Sequence, residues 1–311
     1  MKTINLKSTF TRVSELMLIF AFAHLSYAQS NRTWVSSLGS DSNACSRTSP
    51  CLTFIGALAK TASGGEIDVL DPGDYGAVTI TKSVTIDGGG GQVAAVLGPS
   101  TAWAGFYIEA GPTDVVTLRN LRIKGTSSHV GISLKSGGVL HVENCDLYDW
   151  VYGIVILLLY QSTPVQVTVE NTVIHDNSWG IDVGSQTAGI ITVDIHHTRI
   201  SNSSEVGVEG GDNSVIVVRD SEITHSGIDG VNQYLVYGGK GSKIAVVGST
   251  LAFNPTALRS DSGSYLMVSG NVFTGNGTMF DQNGGQIYSY GDNTYFGNSG
   301  FGASVTTLSK M

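Results

Sequence analysis

An all-β solenoid is the fold class the sequence predicts, and three observations predict it. A phrase of alternating apolar strand, small polar residue and second short strand recurs eight times: VTLRNLRIKG from Val116, LHVENCDLYD from Leu140, VTVENTVIHDN from Val167, VDIHHTRISN from Val193, VVRDSEITHS from Val217, AVVGSTLAFN from Ala245, MVSGNVFTGN from Met267 and YSYGDNTYFGN from Tyr288. The aligned polar residues, Asn120, Asn144, Asn171, His197, Asp220, Ser249, Asn271 and Asn293, are spaced by about 25 residues. A unit of that length cannot bury its own apolar face and must stack on its neighbours. The composition agrees: 40 glycines in 311 residues, with charged residues at 14%, favour strands and tight turns over helix.

The elements follow in chain order. Residues 1–28 read as a secretory signal peptide: Lys2, Lys7 and Arg12 precede the apolar run Leu16 to Leu25, and Ser26-Tyr27-Ala28 offers small residues for cleavage after Ala28. Removing them takes the net charge from −8 to −10. That balance argues against nucleic acid or anionic membrane as partner, since both reward clustered Lys and Arg. The longest later apolar run, Val151 to Tyr160, is too short to cross a bilayer. The expected location is secreted, periplasmic or cell-surface, with no transmembrane segment after cleavage.

Residues 29–65 read as an N-terminal cap. Thr33 to Ser36 is a lead-in strand, and Cys45 and Cys51, close together in an exported chain, are expected to form a disulfide. LTFIGALAKTA from Leu52 sets Phe54, Leu58 and Ile55 on one face of an amphipathic helix, with Gly64-Gly65 as its stop. Such a helix covers the open end of a solenoid. The β-helix itself is placed at 66–298 and a Gly-, Ser- and Thr-rich tail at 299–311. Cys145, beside Asn144, reads as a buried, inert thiol.

In the first coil Ile67, Val69, Val78, Ile80, Val84 and Ile86 alternate inward around the Pro72-Gly73 turn. In later coils Val116/Leu118, Leu140/Val142, Val167/Val169 and Val193/Ile195 do the same. The polar residue after each pair falls in a turn, where stacked Asn side chains can form a structural ladder.

TWVSSLGSD, CSRTSPC, LTFIGALAKTA and PGDYGAVTITKSVTIDG, followed by the repeats, resemble the right-handed parallel β-helix proteins of the pectin-lyase-like group. The resemblance implies a single-stranded right-handed parallel β-helix with an N-terminal capping helix, a scaffold shared by enzymes and non-enzymes. The group's catalytic signatures are mostly missing. Of the polygalacturonase-like motifs only Arg122-Ile123-Lys124 matches, too early in the chain, and Asn293-Thr294 is followed by Tyr295 rather than Asp. The lyase and pectinesterase acidic patterns do not stand out either.

Candidate chemistry lies on a second set of strands, each led by a glycine: GFYI from Gly105, GISL from Gly131, GIVI from Gly153, GIDV from Gly180, GVEG from Gly207 and GVNQ from Gly230. Their outward residues form the column Tyr107, Ser133, Val155, Asp182, Glu209, Asn232. Asp182 and Glu209 become stacked neighbours, with Asp229 one coil on and Tyr152, Trp179 and Trp150 at the rim. Adjacent carboxylates beside aromatic rings suit a sugar: the rings for its apolar faces, the carboxylates for binding or acid–base chemistry. The same Asp182 and Glu209 could hold calcium, although no cofactor is required.

Two further columns bear on partners. Arg119, Glu143, Glu170, His196 and Arg219 read as a charge ladder, with His196 paired to Glu170. The histidines show no His-x-x-x-His spacing, which argues against zinc. Val155, Leu157 and Leu159 form an outward aliphatic row that either lies under a loop or serves self-association. Three functions therefore stand open: binding extracellular polysaccharide, polysaccharide cleavage by an atypical lyase or hydrolase site, and a structural or adhesive role.

Overall fold

The computed structural model describes residues 29–89, 94–97, 103–126, 129–159, 161–233 and 241–309; the signal peptide expected at 1–28 lies outside them. The chain climbs as a single-stranded parallel β-helix with three sheets of 12, 10 and 10 strands. Each strand pairs with its equivalent one coil away, so that Val167, Val193 and Ile216 stack in one file of the first sheet. Alternation sorts the side chains as expected. Val116, Leu118, Leu140, Val142, Val167, Val169, Val193 and Ile195 are all buried, as are the six residues named in the first coil. Among the described residues, no helix is long and apolar enough to cross a membrane.

The turn between the first and third sheets needs one residue at positive φ per coil. Asn120, Asn144, Asn171, His197 and Asp220 supply it at 49–58°, and Gly248 and Gly270 at 59° and 65°. Asn and Asp tolerate this region, and glycine enters it freely. The predicted polar ladder therefore needs a correction in its last copies. Ser249 and Asn271 lie one residue past the turn glycine and Asn293 two past Gly291, all in line with Thr172, Thr198 and Ser221.

That later file is where the hydrogen-bonded ladder runs. Each backbone N–H donates to the side chain one coil on: Thr198 to Ser221 Oγ at 3.1 Å, Ser221 to Ser249 Oγ at 3.2 Å, Ser249 to Asn271 Oδ1 at 2.9 Å and Asn271 to Asn293 Oδ1 at 2.9 Å. A second ladder, Asn254, Asn276 and Asn298, runs up the next corner at 2.9–3.0 Å. These side chains satisfy backbone donors that the corners take out of the sheets. Cys145 heads the first file; burial pushes its thiol up to about 12, so it stays protonated and unreactive.

Helix α1 spans Phe54–Lys60. The Gly56 N–H donates to the Thr53 hydroxyl at 3.0 Å, capping the helix, and Asp41 accepts from the Leu52 and Thr53 N–H groups at 2.9 Å. Phe54, Ala57 and Leu58 are buried, whereas Ile55 faces out at 61% exposure, so it does not share the core face. Phe54 seals the end of the core against Tyr75 and Phe106, with ring centroids 5.4 and 5.9 Å away. The helix ends at Thr61 in extended conformation, and Gly64-Gly65 lie inside the following strand, Thr61–Val69, rather than stopping the helix.

Cys45 and Cys51 are disulfide-bonded. Replacing both with serine is expected to lower stability by about 2 kcal/mol, the small-loop end of the usual range; thermal melting in the presence and absence of reductant checks this.

At the far end, Gly300–Gly302 and Thr306–Thr307 pair with Thr278–Asn283 and Gln286–Ser289. The solenoid therefore continues past residue 298 into the segment expected to be a tail. Phe301 packs on Phe280 and Tyr295 at 5.3 and 5.7 Å, closing this end of the core with aromatic rings.

Candidate functional site

The glycine-led strands make up the second sheet, and the glycines are there for space. A Cβ on Gly131, Gly153, Gly180 or Gly207 would stand 2.4–2.7 Å from the carbonyl oxygen of the glycine one coil on. Any side chain would push the coils apart. The file ends at Ala257, one coil after Gly230. Close stacking locks the register, and the register aligns the outward residues as predicted: Tyr107 beside Ser133, then Val155, Asp182, Glu209 and Asn232.

Asp182 and Glu209 are thus direct neighbours on adjacent strands, which lie about 4.8 Å apart. Burial raises Asp182 to about 6, with the Lys135 charge opposing the shift. Burial, then the charges of Asp182 and Asp229, raise Glu209 to about 8, against a hydrogen bond from the Trp179 side chain. Asp229, nearly inaccessible, is raised to about 6 by burial, with the Thr256 hydrogen bond and the Arg259 charge opposing. Near neutral pH Glu209 is therefore largely protonated while Asp182 is largely ionised. One coil holds a proton donor and the next an acceptor.

The aromatic rim is built by the same register. Tyr152 pairs with Trp179 across adjacent strands, and their rings stack at 4.9 Å and 20°. Burial and the two carboxylates raise the Tyr152 phenol, so it keeps its proton. Asn232 donates from Nδ2 to Glu209 Oε1 at 3.4 Å, and its own buried Oδ1 has no hydrogen-bond partner among the described residues.

Trp150 does not belong to the rim. It is 2% exposed, its indole N–H donates to the Ile123 carbonyl at 3.0 Å, and its ring fills the space left by Gly125 and Gly131. Two positions before Tyr152 the chain is still rounding a corner, so strand alternation does not apply there.

Two cations at this face were not legible from motifs. Lys135 follows Ser133 by two residues on the same strand, Val130–Ser136, and so shares its outward face. Burial lowers the pKa of its ammonium, with Asp182 and Glu109 opposing. Arg259 lies one coil beyond Asn232 and pairs with Asp261 and Asp281 at 3.1 and 3.6 Å. Tracking position +2 from each outward residue would have found Lys135.

The aliphatic row is also corrected. Val155 is 7% exposed, packed with Ala104 and Val130 under Tyr107, Tyr152 and Leu157, and Leu159 is half-buried. Tyr107 and Tyr152 pack over Val155, while Leu157 and Leu159 are each half-buried. In the charge ladder, His196 lies 3.8 Å from Glu170 as expected, but Arg219 turns to Asp194 at 2.8 Å and Arg119 to Asp87 at 2.8 Å.

Calcium takes six to eight oxygen ligands. Among the described residues, the three-donor groups that converge within 4.8 Å are Glu170–His196–His197 and Glu66–Asp68–Asp87. The latter is bridged by Arg32 and Arg119. Asp182, Glu209 and Asp229 do not form such a cage.

Comparison with known proteins finds the same fold elsewhere. Pectate lyase Pel9A superposes with a TM-score of 0.66 at 17% identity, over 89% of this chain and 79% of the lyase. An alginate lyase from Paenibacillus sp. str. FPU-7 gives 0.57 at 15%, over 91% and 99%. The GH136 lacto-N-biosidase from Eubacterium ramulus gives 0.52 at 11%, over 89% and 68%. At these identities the likeness is one of fold. No curated protein sequence matches the chain. The family model described as "Right handed beta helix region" matches residues 104–301, the coils that carry both the glycine file and the carboxylate column, and the chain belongs to that family.

Proposed function

We propose that this is an exported β-helix protein that binds extracellular or cell-surface polysaccharide on the outer face of its second sheet. The observation that carries the proposal is the column Asp182–Glu209–Asn232 set against the stacked Tyr152–Trp179 pair. Partly buried carboxylates and a neighbouring amide match sugar hydroxyls, and stacked rings match the apolar faces of pyranoses. The disulfide suits an oxidising compartment. The three superposed proteins act on glycans by name, which supports the same ligand class here.

The protein should bind at least one polysaccharide on a glycan array. Trp179→Ala and Asp182→Ala should each weaken that binding by about tenfold or more, the loss of one good contact. Binding to no acidic or neutral glycan would reject the proposal. An EDTA arm tests calcium bridging between Asp182, Glu209 and an acidic glycan; equal binding with and without EDTA removes calcium from the account.

A second reading, polysaccharide cleavage, is favoured by the split between Asp182 and Glu209, one ionised and one protonated near neutral pH. It requires new reducing or unsaturated ends that vanish in Glu209→Gln, with Lys135 as a further basic group at the site.

A further inference from the structure

We propose that Glu170, His196 and His197 form a binding site for a divalent transition-metal cation of the zinc class, on the outer corner of the first sheet and separate from the carboxylate column.

The site arises from the turn. Successive residues of a strand point to opposite faces, so neighbouring histidines normally diverge. His196 ends the strand Ile191–His196, and His197 takes the positive-φ turn position at 49°. That single rotation brings both rings to one side. Their Nδ1 atoms lie 3.2 Å apart, with ring centroids 5.3 Å apart and the planes edge to face at 75°. Glu170 sits one coil back, in register with His196, and its Oε1 is 3.8 Å from His196 Nδ1. One donor atom from each of the three residues fits within 4.8 Å.

These separations are those of a ligand set. Zinc–nitrogen bonds of about 2.0–2.1 Å in a tetrahedron put two ligating nitrogens about 3.3 Å apart. The two Nδ1 atoms already meet that spacing. Glu170 must close by about half an ångström to complete a third bond of similar length; its side chain is 38% exposed and, among the described residues, held there only by His196 and a long 3.5 Å bond from Asn171 Nδ2.

His196 is buried, which fixes one ligand, while exposed His197 leaves the open side to water. Without metal, one Nδ1–H donates to the other Nδ1. With metal, both rings carry their proton on Nε2 and turn lone pairs to the ion. Arg219 is in register with His196 one coil on, and Asp194 holds its guanidinium through two bonds at 3.0 and 2.8 Å. Asp194 is its bonded partner, and its charge also reaches Glu170, which a cation at the triad must share. No helical His-x-x-x-His pattern marks the site, because the ligands converge through a turn and a coil step.

Titrating tag-free full-length protein with ZnCl2 by calorimetry should show one saturable site, and saturation should raise the melting temperature, since the ion ties two coils together. His197→Asn keeps the turn, because Asn holds the same position in three preceding coils. It should weaken zinc by more than about tenfold, as should Glu170→Gln, since even outer-shell losses reach that size. His175→Ala removes a histidine paired to Asp146 and Asp176 elsewhere; it should leave the affinity within about twofold of the parent. No saturable zinc binding, or parental affinity in His197→Asn, or equal loss in His175→Ala, would overturn the assignment. Circular dichroism of each variant separates ligand loss from unfolding.

Discussion

Gly180→Ala is expected to destabilise the protein by about 3 kcal/mol, the upper part of the range for overpacking. The new Cβ would stand 2.4 Å from the Gly207 carbonyl oxygen and 2.7 Å from Ile200 Cγ2. Neither can withdraw cheaply: the oxygen belongs to the adjoining strand and Ile200 is packed in the core. Coils 180 and 207 must separate, and every outward residue in their register shifts with them. Gly184→Ala, on the same strand, is the matched control, since its Cβ meets only Leu157 Cδ1 at 4.0 Å. It should stay within about 0.5 kcal/mol of the parent. Thermal and urea melts of both variants read the difference. Equal stability would mean that the glycine file is not what sets the coil spacing.

Glu209→Gln is expected to stabilise the fold at pH 8 while weakening glycan binding. The sign follows from the raised carboxyl. Glu209 lies at about 8 in the native state against an ordinary 4.5, so the native state holds a proton that the unfolded chain releases. The resulting stability is fully present below about 4.5 and is lost as pH rises through about 8. Asp182 and Asp229, each raised to about 6 from an ordinary 3.8, add the same trend at lower pH. The amide keeps the shape, still accepts from the Trp179 indole, and never ionises. By pH 8 it should be the more stable protein by a few kcal/mol, at about 1.4 kcal/mol for each tenfold change in proton affinity between the folded and unfolded states. Denaturant midpoints from pH 4.5 to 8.5 check this. Parallel profiles for parent and variant would show that Glu209 is ordinary in the folded state. A group that costs stability and improves when removed is what a functional site looks like.

Most of the architecture was legible because it rests on local rules. Val193 and Ile195 alternate, Asn171 and His197 mark a positive-φ corner, and Gly180 and Gly207 align two coils. From those three signals the pairing of Asp182 with Glu209 follows directly.

What escaped depended on contacts between coils. Ser249 aligns one residue out of place because Gly248 replaces Asp220 at the turn; two residue types meet one backbone demand, and the alignment slides to the nearest polar side chain. Val155 reads as exposed because Tyr107 and Tyr152, which cover it, lie on an earlier strand and at the start of its own. Trp150 precedes its strand, so alternation gives it no direction. No sequence spacing marks His196 and His197 as ligands, because their convergence is made by one φ angle and by Glu170, 26 residues before His196.

The central claim is that polysaccharide binds where the second sheet stacks Asp182, Glu209 and Asn232 beside Tyr152 and Trp179. A crystal structure with an oligosaccharide drawn from the binding screen tests it most directly. The account predicts a sugar ring against the Tyr152–Trp179 pair, with hydroxyls hydrogen-bonded to Asp182 or Glu209 and to the Asn232 side chain. An oligosaccharide bound on another sheet, with this face left to solvent, would contradict it.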